Sequence, residues 1–177
     1  MKKAMINKTH IEGYLYSTDK LELRESGPKS KNPGTQFIMG TVNIATDNAC
    51  TNVVPVHFTY VTATTSKGGT NATFGVLKDI VDGKLATVMD KGIDAAAKLR
   101  IDSAIGLNDF YTERDGKEEL VSAKRNEGGF VHTTPSLTED EKARNTFEVD
   151  MIITGVTRMD ANEERNLPEK VVVKGAC

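Results

Sequence analysis

Three stretches of alternating apolar and polar residues, each with a glycine inside, constrain this chain more than any other feature. They are residues 6–17 (INKTHIEGYLYS, with Gly13), 36–46 (QFIMGTVNIAT, with Gly40) and 98–108 (KLRIDSAIGLN, with Gly106). Period-two alternation rich in β-branched and aromatic residues marks half-buried strands. A glycine within such a strand marks a bulge or a sharp bend, because no side chain obstructs coiling. Strands that bend in this way predict a small barrel.

Two further strands are expected. Residues 52–61 (NVVPVHFTYV) form one. Pro55 has no N–H to give to a ladder, so it belongs at an edge or irregularity. Residues 146–158 (TFEVDMIITGVTR) form the other, with Phe147, Val149 and Met151 on one face. Between the third and fourth strands the pattern changes. A flexible loop over residues 66–71 ends in good N-cap residues, and Phe74, Leu77 and Val81 follow at helical spacing. Gly83 stops that helix, and a second helical stretch is expected over residues 85–91. Asp115-Gly116 signals a hairpin turn with a return strand over residues 119–124. Residues 126–144, with Gly128-Gly129 and the acidic run Glu139-Asp140-Glu141, read as a polar excursion.

This order predicts a mainly β chain. It is that of an OB-fold: a five-stranded Greek-key barrel with a helix between strands 3 and 4, here with an extended strand 4 hairpin. The barrel domain is expected over residues 1–160. Residues 161–177 are expected to be a C-terminal extension, with Val171-Val172-Val173 either an added strand or the start of a longer region.

Composition narrows the function classes. At 177 residues the chain suits one well-buried domain, and its 27% charged and 38% hydrophobic residues suit a soluble protein. No stretch approaches the roughly 20 apolar residues that span a bilayer, so a cytoplasmic location without membrane association is expected. Cys50, Cys177, His10, His57 and His132 show no metal-ligand spacing, and a disulfide is not expected in a reducing compartment. Neither a metal nor a cofactor is expected. Gly83-Lys84 lacks the spacing and the following Ser or Thr of a P-loop, and no HExxH, nucleophile elbow or GxGxxG is present. The acid pairs Glu118-Glu119 and Glu163-Glu164 are adjacent, so on a strand they diverge. His57, within an apolar strand, reads as a core residue. No enzyme is expected.

Several short pieces, in their common order, resemble the bacterial and phage single-stranded DNA-binding proteins. Asn7-Lys8 leading into Ile11-x-Gly13-x-Leu15 is similar to that family's opening strand. Val54-Pro55-Val56-His57-Phe58 resembles its third. Leu99-Arg100-Ile101-Asp102 through Tyr111 to Asp115-Gly116 resembles its fourth strand and long hairpin, and Phe147-Glu148-Val149 through Gly155-Val156 its closing strand. The chain departs from the family in having no tryptophan and in its longer excursion over residues 126–144. The resemblance implies an OB barrel that coats single-stranded DNA in replication or recombination, is phage or prophage encoded, self-associates as a homo-oligomer, and works with replication or recombination proteins.

Sequence-tolerant binding of single strands needs flat aromatic faces for bases and cations for phosphates. The resemblance places them on the exposed faces of the first three strands and on the loops after strands one and four. The candidate aromatics are Tyr14 and Tyr16 on the first strand, Phe58 and Tyr60 on the third, and Tyr111 beside the hairpin. Each could instead pack in the core, Phe58 above all. The candidate cations are Lys29 and Lys31 in a turn-rich loop, Lys67 before Gly68-Gly69, Arg100 on the fourth strand and Arg114 near the hairpin tip.

Net charge is −2, but it is uneven. Residues 1–35 carry a net +3 and residues 136–170 a net −4. Binding to a polyanion depends on a local groove rather than on the total. The alternative expectation is an OB-type barrel used as a protein–protein interaction or phage assembly module. The net negative charge and the acidic excursion favour that reading.

Overall fold

The computed structural model describes residues 5–114, 116–162 and 168–176, with only the backbone of Arg114. The protein is mainly β. Its elements are β1 (Asn7–Glu25), β2 (Gln36–Ala45), β3 (Val53–Thr62), the helix α1 (Ala72–Val81), a single turn α2 (Val88–Lys91), β4 (Lys98–Arg114), β5 (Lys117–Thr133), β6 (Asn145–Val149), β7 (Ile152–Met159) and β8 (Lys170–Ala176). The chain divides into two compact units, Lys8–Phe147 on the one hand and Met1–Asn7 with Glu148–Cys177 on the other.

In the larger unit β1 pairs with both β4 and β2. Residues 9–14 pair antiparallel with β4, and residues 14–25 pair antiparallel with β2. β2 continues antiparallel to β3, β3 lies parallel to β5, and β5 is antiparallel to β4. The pairings therefore run β1–β2–β3–β5–β4 and return to β1. This is a ring of strands, in keeping with a β-barrel. Alternate side chains point into it: Ile11 and Leu15 of β1, Val42 and Ile44 of β2, Leu99 and Ile101 of β4 are all fully buried.

The glycines explain how β1 reaches both neighbours. A Cβ on Gly13 would lie 2.1 Å from the carbonyl oxygen of Ala45, and one on Gly40 would lie 2.3 Å from that of Lys20. Gly40 also has φ +133°. Here β1 and β2 approach too closely for side chains, and β1 bulges nearby, between Leu15 and Ser17 and between Asp19 and Glu22.

Helix α1 lies between β3 and β4 in the chain and buries Leu77 and Ile80, with Phe74 and Val81 packed partly against the same core. Its first turn also completes the ring. The β3–β5 ladder holds only two residue pairs, Val56 with Asn126 and His57 with Glu127. Past that point the buried Thr73 takes over. Its hydroxyl donates to the Gly129 carbonyl at 3.2 Å and accepts from the Val131 N–H at 3.2 Å. Thr73 thus meets backbone groups of β5 that β3 no longer reaches.

Two sequence expectations need correction. The strand that closes the ring is β5 rather than residues 146–158, and residues 126–133 belong to it rather than to a polar excursion. Those eight residues contain one buried apolar side chain, Val131, and their glycines imitate a loop. The expected fifth strand is in fact two elements. β6 lies beside β1, whereas β7 pairs antiparallel with β8. The boundary between the units accordingly falls at Phe147 rather than near residue 160. Within the extension, residues 170–176 form β8, which pairs antiparallel with β7.

From Gly106 and Arg125 outward, β4 and β5 pair with each other as a two-stranded arm. It closes at Gly116, which has φ +73°, while Asp115 of the expected turn lies outside the described residues. In the smaller unit, the Asp150 N–H donates to the Ile6 carbonyl at 2.8 Å, and the Asp150 carboxylate accepts from the Ile6 N–H at 3.0 Å. No helix among the described residues is long and apolar enough to cross a membrane.

The Thr73→Val substitution keeps the shape of the side chain and leaves the buried Val131 N–H and the half-buried Gly129 carbonyl without this partner. It is expected to destabilise the protein by about 1–3 kcal/mol, with Thr73→Ser close to wild type, as measured by urea unfolding.

Candidate nucleic-acid interface

Three of the cations selected from sequence stand on two loops that flank one tyrosine. The loop over residues 26–35 joins β1 to β2. It is closed at its foot by backbone hydrogen bonds from Ser26 to Thr35 (2.9 Å) and from Gly34 to Ser26 (2.9 Å). Lys29 and Lys31 are exposed on it and form no ion pair among the described residues. The loop over residues 63–71 joins β3 to α1. A tight turn holds it, with the Thr65 N–H donating to the Gly69 carbonyl (2.8 Å) and the Gly68 N–H to the Thr65 carbonyl (2.9 Å). Lys67 is exposed at its tip.

Tyr60, near the end of β3, lies between these loops. Its hydroxyl is 3.0 Å from that of Ser26, at the foot of the Lys29–Lys31 loop. Its ring packs at 4.5 Å, tilted by 33°, against Phe37 at the start of β2. The same residue lines a cavity with Thr64, Thr65 and Ser66, immediately before Lys67. Tyr60 remains 48% exposed, so it is held in place yet accessible.

The other candidates do not join this cluster. Tyr14 and Tyr16 are half-buried on the outer side of β1, flanking the buried Leu15. The Tyr14 hydroxyl points to Asn48 Oδ1 at 3.4 Å. Phe58 is a correction. It is 2% exposed and belongs to the core, because its place in the alternation of β3 turns it inward with Val54 and Val56. Arg100 is exposed but lies 3.6 Å from the Asp102 carboxylate, which offsets its charge. Tyr111 is well exposed on the arm, opposite Leu120. The side chain of Arg114 lies outside the described residues.

The YorF family model matches residues 6–177. The chain belongs to the YorF family. No curated protein matches it.

One group of acidic side chains in this YorF chain is tied into the structure around His10 and Thr138, while Glu127 lines a cavity beside Tyr60 and is paired with Arg125 at 3.2 Å. His10 Nδ1 lies 2.8 Å from Asp102 and its Nε2 3.6 Å from Glu12. Glu12 is buried, and its carboxylate accepts from the N–H (2.6 Å) and the hydroxyl (2.9 Å) of Thr138. Burial opposes ionisation of Glu12, but the two Thr138 hydrogen bonds and His10 outweigh it and hold the carboxyl below its ordinary value. The buried Arg144 grips the other end of the same residue, donating from Nε to the Thr138 carbonyl, and binds Asn48 Oδ1 at 3.0 Å. These two charges fix the segment after β5. On the outer side of β3, His57 Nδ1 lies 3.1 Å from the Thr41 hydroxyl. Burial and then Arg125 lower its pKa, against an opposite pull from Glu127, so the imidazole is neutral near pH 7. Among the described residues, no group of three or more His, Cys, Asp or Glu side chains is placed to hold a metal ion.

Sequence reasoning passed over Phe37, Glu12, Phe130 and Arg144. The position of Phe37 opposite Thr62 in the β2–β3 register was within reach of strand alternation. The convergence of Glu12 and Arg144 on Thr138 had no sequence signal.

A carboxyl whose pKa is lowered on folding stabilises the folded state above the ordinary glutamate range. That stability is lost as pH falls through the lowered value. Glu12→Gln is therefore expected to be less stable than wild type at neutral pH, with a shallower loss of stability toward acid. Urea unfolding across a pH series checks both.

Proposed function

We propose that this protein binds single-stranded DNA without catalysing a reaction on it, through an OB-type barrel. The barrel reading is supported by the strand order, the parallel β3–β5 pairing and the helix between β3 and β4. In that architecture ligands lie across strands 2 and 3 and against the loops after strands 1 and 4. Here those places hold Phe37, Tyr60, Lys29 and Lys31.

The observation that carries the proposal is the setting of Tyr60, an accessible ring tied to the foot of one lysine loop and facing a cavity shared with another. Stacking on such a ring contributes about 1–3 kcal/mol per base and accepts any base. The lysines contribute attraction to phosphate that weakens with salt. Attraction to a polyanion depends on local charge, so a net charge of −2 does not oppose binding at the unpaired lysines, and Glu127 beside Tyr60 is offset by Arg125. A role in replication or recombination, a cytoplasmic location and self-association belong to the same proposal.

A second reading, a protein–protein interaction module, is favoured by one observation. Ile152, Ile153 and Val156 of β7 and Val171 of β8 are each about 60% exposed or more, apolar surface on the β7–β8 pair that a protein partner would cover.

Titration of oligo-dT, duplex DNA and RNA at two salt concentrations, read by tyrosine quenching, tests the first reading. Wild type is expected to prefer the unstructured single strand. The double variant Lys29→Glu with Lys31→Glu is expected to bind all sequences more weakly. Its log–log salt slope is expected to fall by about 0.7 for each phosphate that is no longer neutralised. Absence of any complex between wild type and oligo-dT at low salt would sink it. Concentration-dependent assembly abolished by Val156→Asp would then support the second.

A further inference from the structure

We infer that the cleft between β3 and β5 is a pocket for a single unstacked nucleobase, an inference that rests on the single-strand reading above. The cleft exists because β3 and β5 part after His57 and Glu127. Two glycines on its wall let β5 pass close to its neighbours. A Cβ on Gly128 would lie 2.2 Å from the buried Phe58 ring, and one on Gly129 would lie 2.1 Å from the Asp102 carbonyl oxygen. Neither position has room for a side chain, and both glycines line a cavity of about 340 Å³ with Tyr60 and Phe130. That volume is at the low end for small-ligand sites, roughly 300–1,000 Å³.

The chemistry of the walls matches a base. Phe130, from β5, is 70% exposed and lines the cavity together with Tyr60, so two accessible aromatic rings share one opening. Thr64 and Ser66 contribute hydroxyls from the loop. A hydroxyl can donate or accept, so the polar edge of any base can be met. None of the residues lining the cavity is charged. The cations lie just outside it, with Lys67 following Ser66 and with Lys29 and Lys31 on the loop whose Ser26 contacts Tyr60. A neutral aromatic pocket between cationic loops admits the base and leaves its flanking phosphates at the lysines.

The test uses Phe130→Ala, an exposed position whose truncation leaves the buried core intact, as a thermal melt would verify. Binding is measured to oligo-dT and to an abasic strand of equal length, which has the phosphates without the bases. Wild type is expected to prefer oligo-dT. Phe130→Ala is expected to lose about five- to a hundredfold for oligo-dT, with binding to the abasic strand and the salt slope unchanged. An oligonucleotide carrying 5-iodouracil is expected to photocross-link at Phe130 or Tyr60. If Phe130→Ala binds oligo-dT as wild type does, or weakens both strands equally, the pocket assignment is overturned while single-strand binding stands. Cross-links found only at other residues overturn it in the same way. If wild type binds neither strand, the single-strand reading itself fails and takes the pocket with it.

Discussion

Closure of the ring depends on a hydroxyl where a strand would ordinarily suffice. β3 and β5 share only two residue pairs, and beyond them the backbone of β5 finds its partner in Thr73. A buried backbone group without a partner costs as much as a missing hydrogen bond, so the first turn of α1 is required wherever β3 diverges. That divergence has two results. It fixes the helix across the open seam of the barrel, and it leaves the seam with room for something other than protein. The same short ladder thus governs the core packing of Leu77 and Ile80 and the cavity beside Tyr60.

Charge is separated in a comparable way. The buried Glu12 and Arg144 are both spent on Thr138, holding the segment that follows β5. Arg100 faces Asp102. By contrast Lys29, Lys31 and Lys67 keep their charge for solvent, on loops rather than on strands. A lysine on a loop retains its reach, and its attraction to a polyanion extends about 8–10 Å at ordinary ionic strength. Glu12 fixes structure beside β1, and the unpaired lysines remain on the two loops beside Tyr60.

Much of the barrel was legible in the residues because period-two alternation reports burial directly. The alternating stretches became β1, β2, β3 and the first half of β4, and Gly13 and Gly40 did mark places where strands cross too closely for a side chain. The helix over Phe74, Leu77 and Val81 was equally plain. Residues 126–133 were not, since a strand that passes close to the Phe58 ring and the Asp102 carbonyl needs Gly128 and Gly129, and paired glycines look like a loop. The break between β6 and β7 was hidden for a different reason. Both halves alternate, and nothing in residues 146–158 says that the partner changes at residues 150–151. At the candidate site Tyr60 and the three lysines could be chosen by residue type, but Phe58 could not be separated from them until its register was known. Phe130 was hidden with them, because its place beside the buried Val131 emerges only once residues 126–133 are known to be a strand.

The sharing of β1 between β2 and β4 also sets the order in which the chain can fold. Its pairing with β2 is nearly local, whereas Thr9 meets Ser103 across 94 positions of sequence. Pairings of that separation form late, because the intervening loop must be closed before the pairing gains anything. During synthesis, β1, β2 and β3 therefore emerge as an open meander whose first strand has an unpaired edge until β4 arrives. For that interval the nascent chain presents the edge to any strand nearby, its own or a neighbour's.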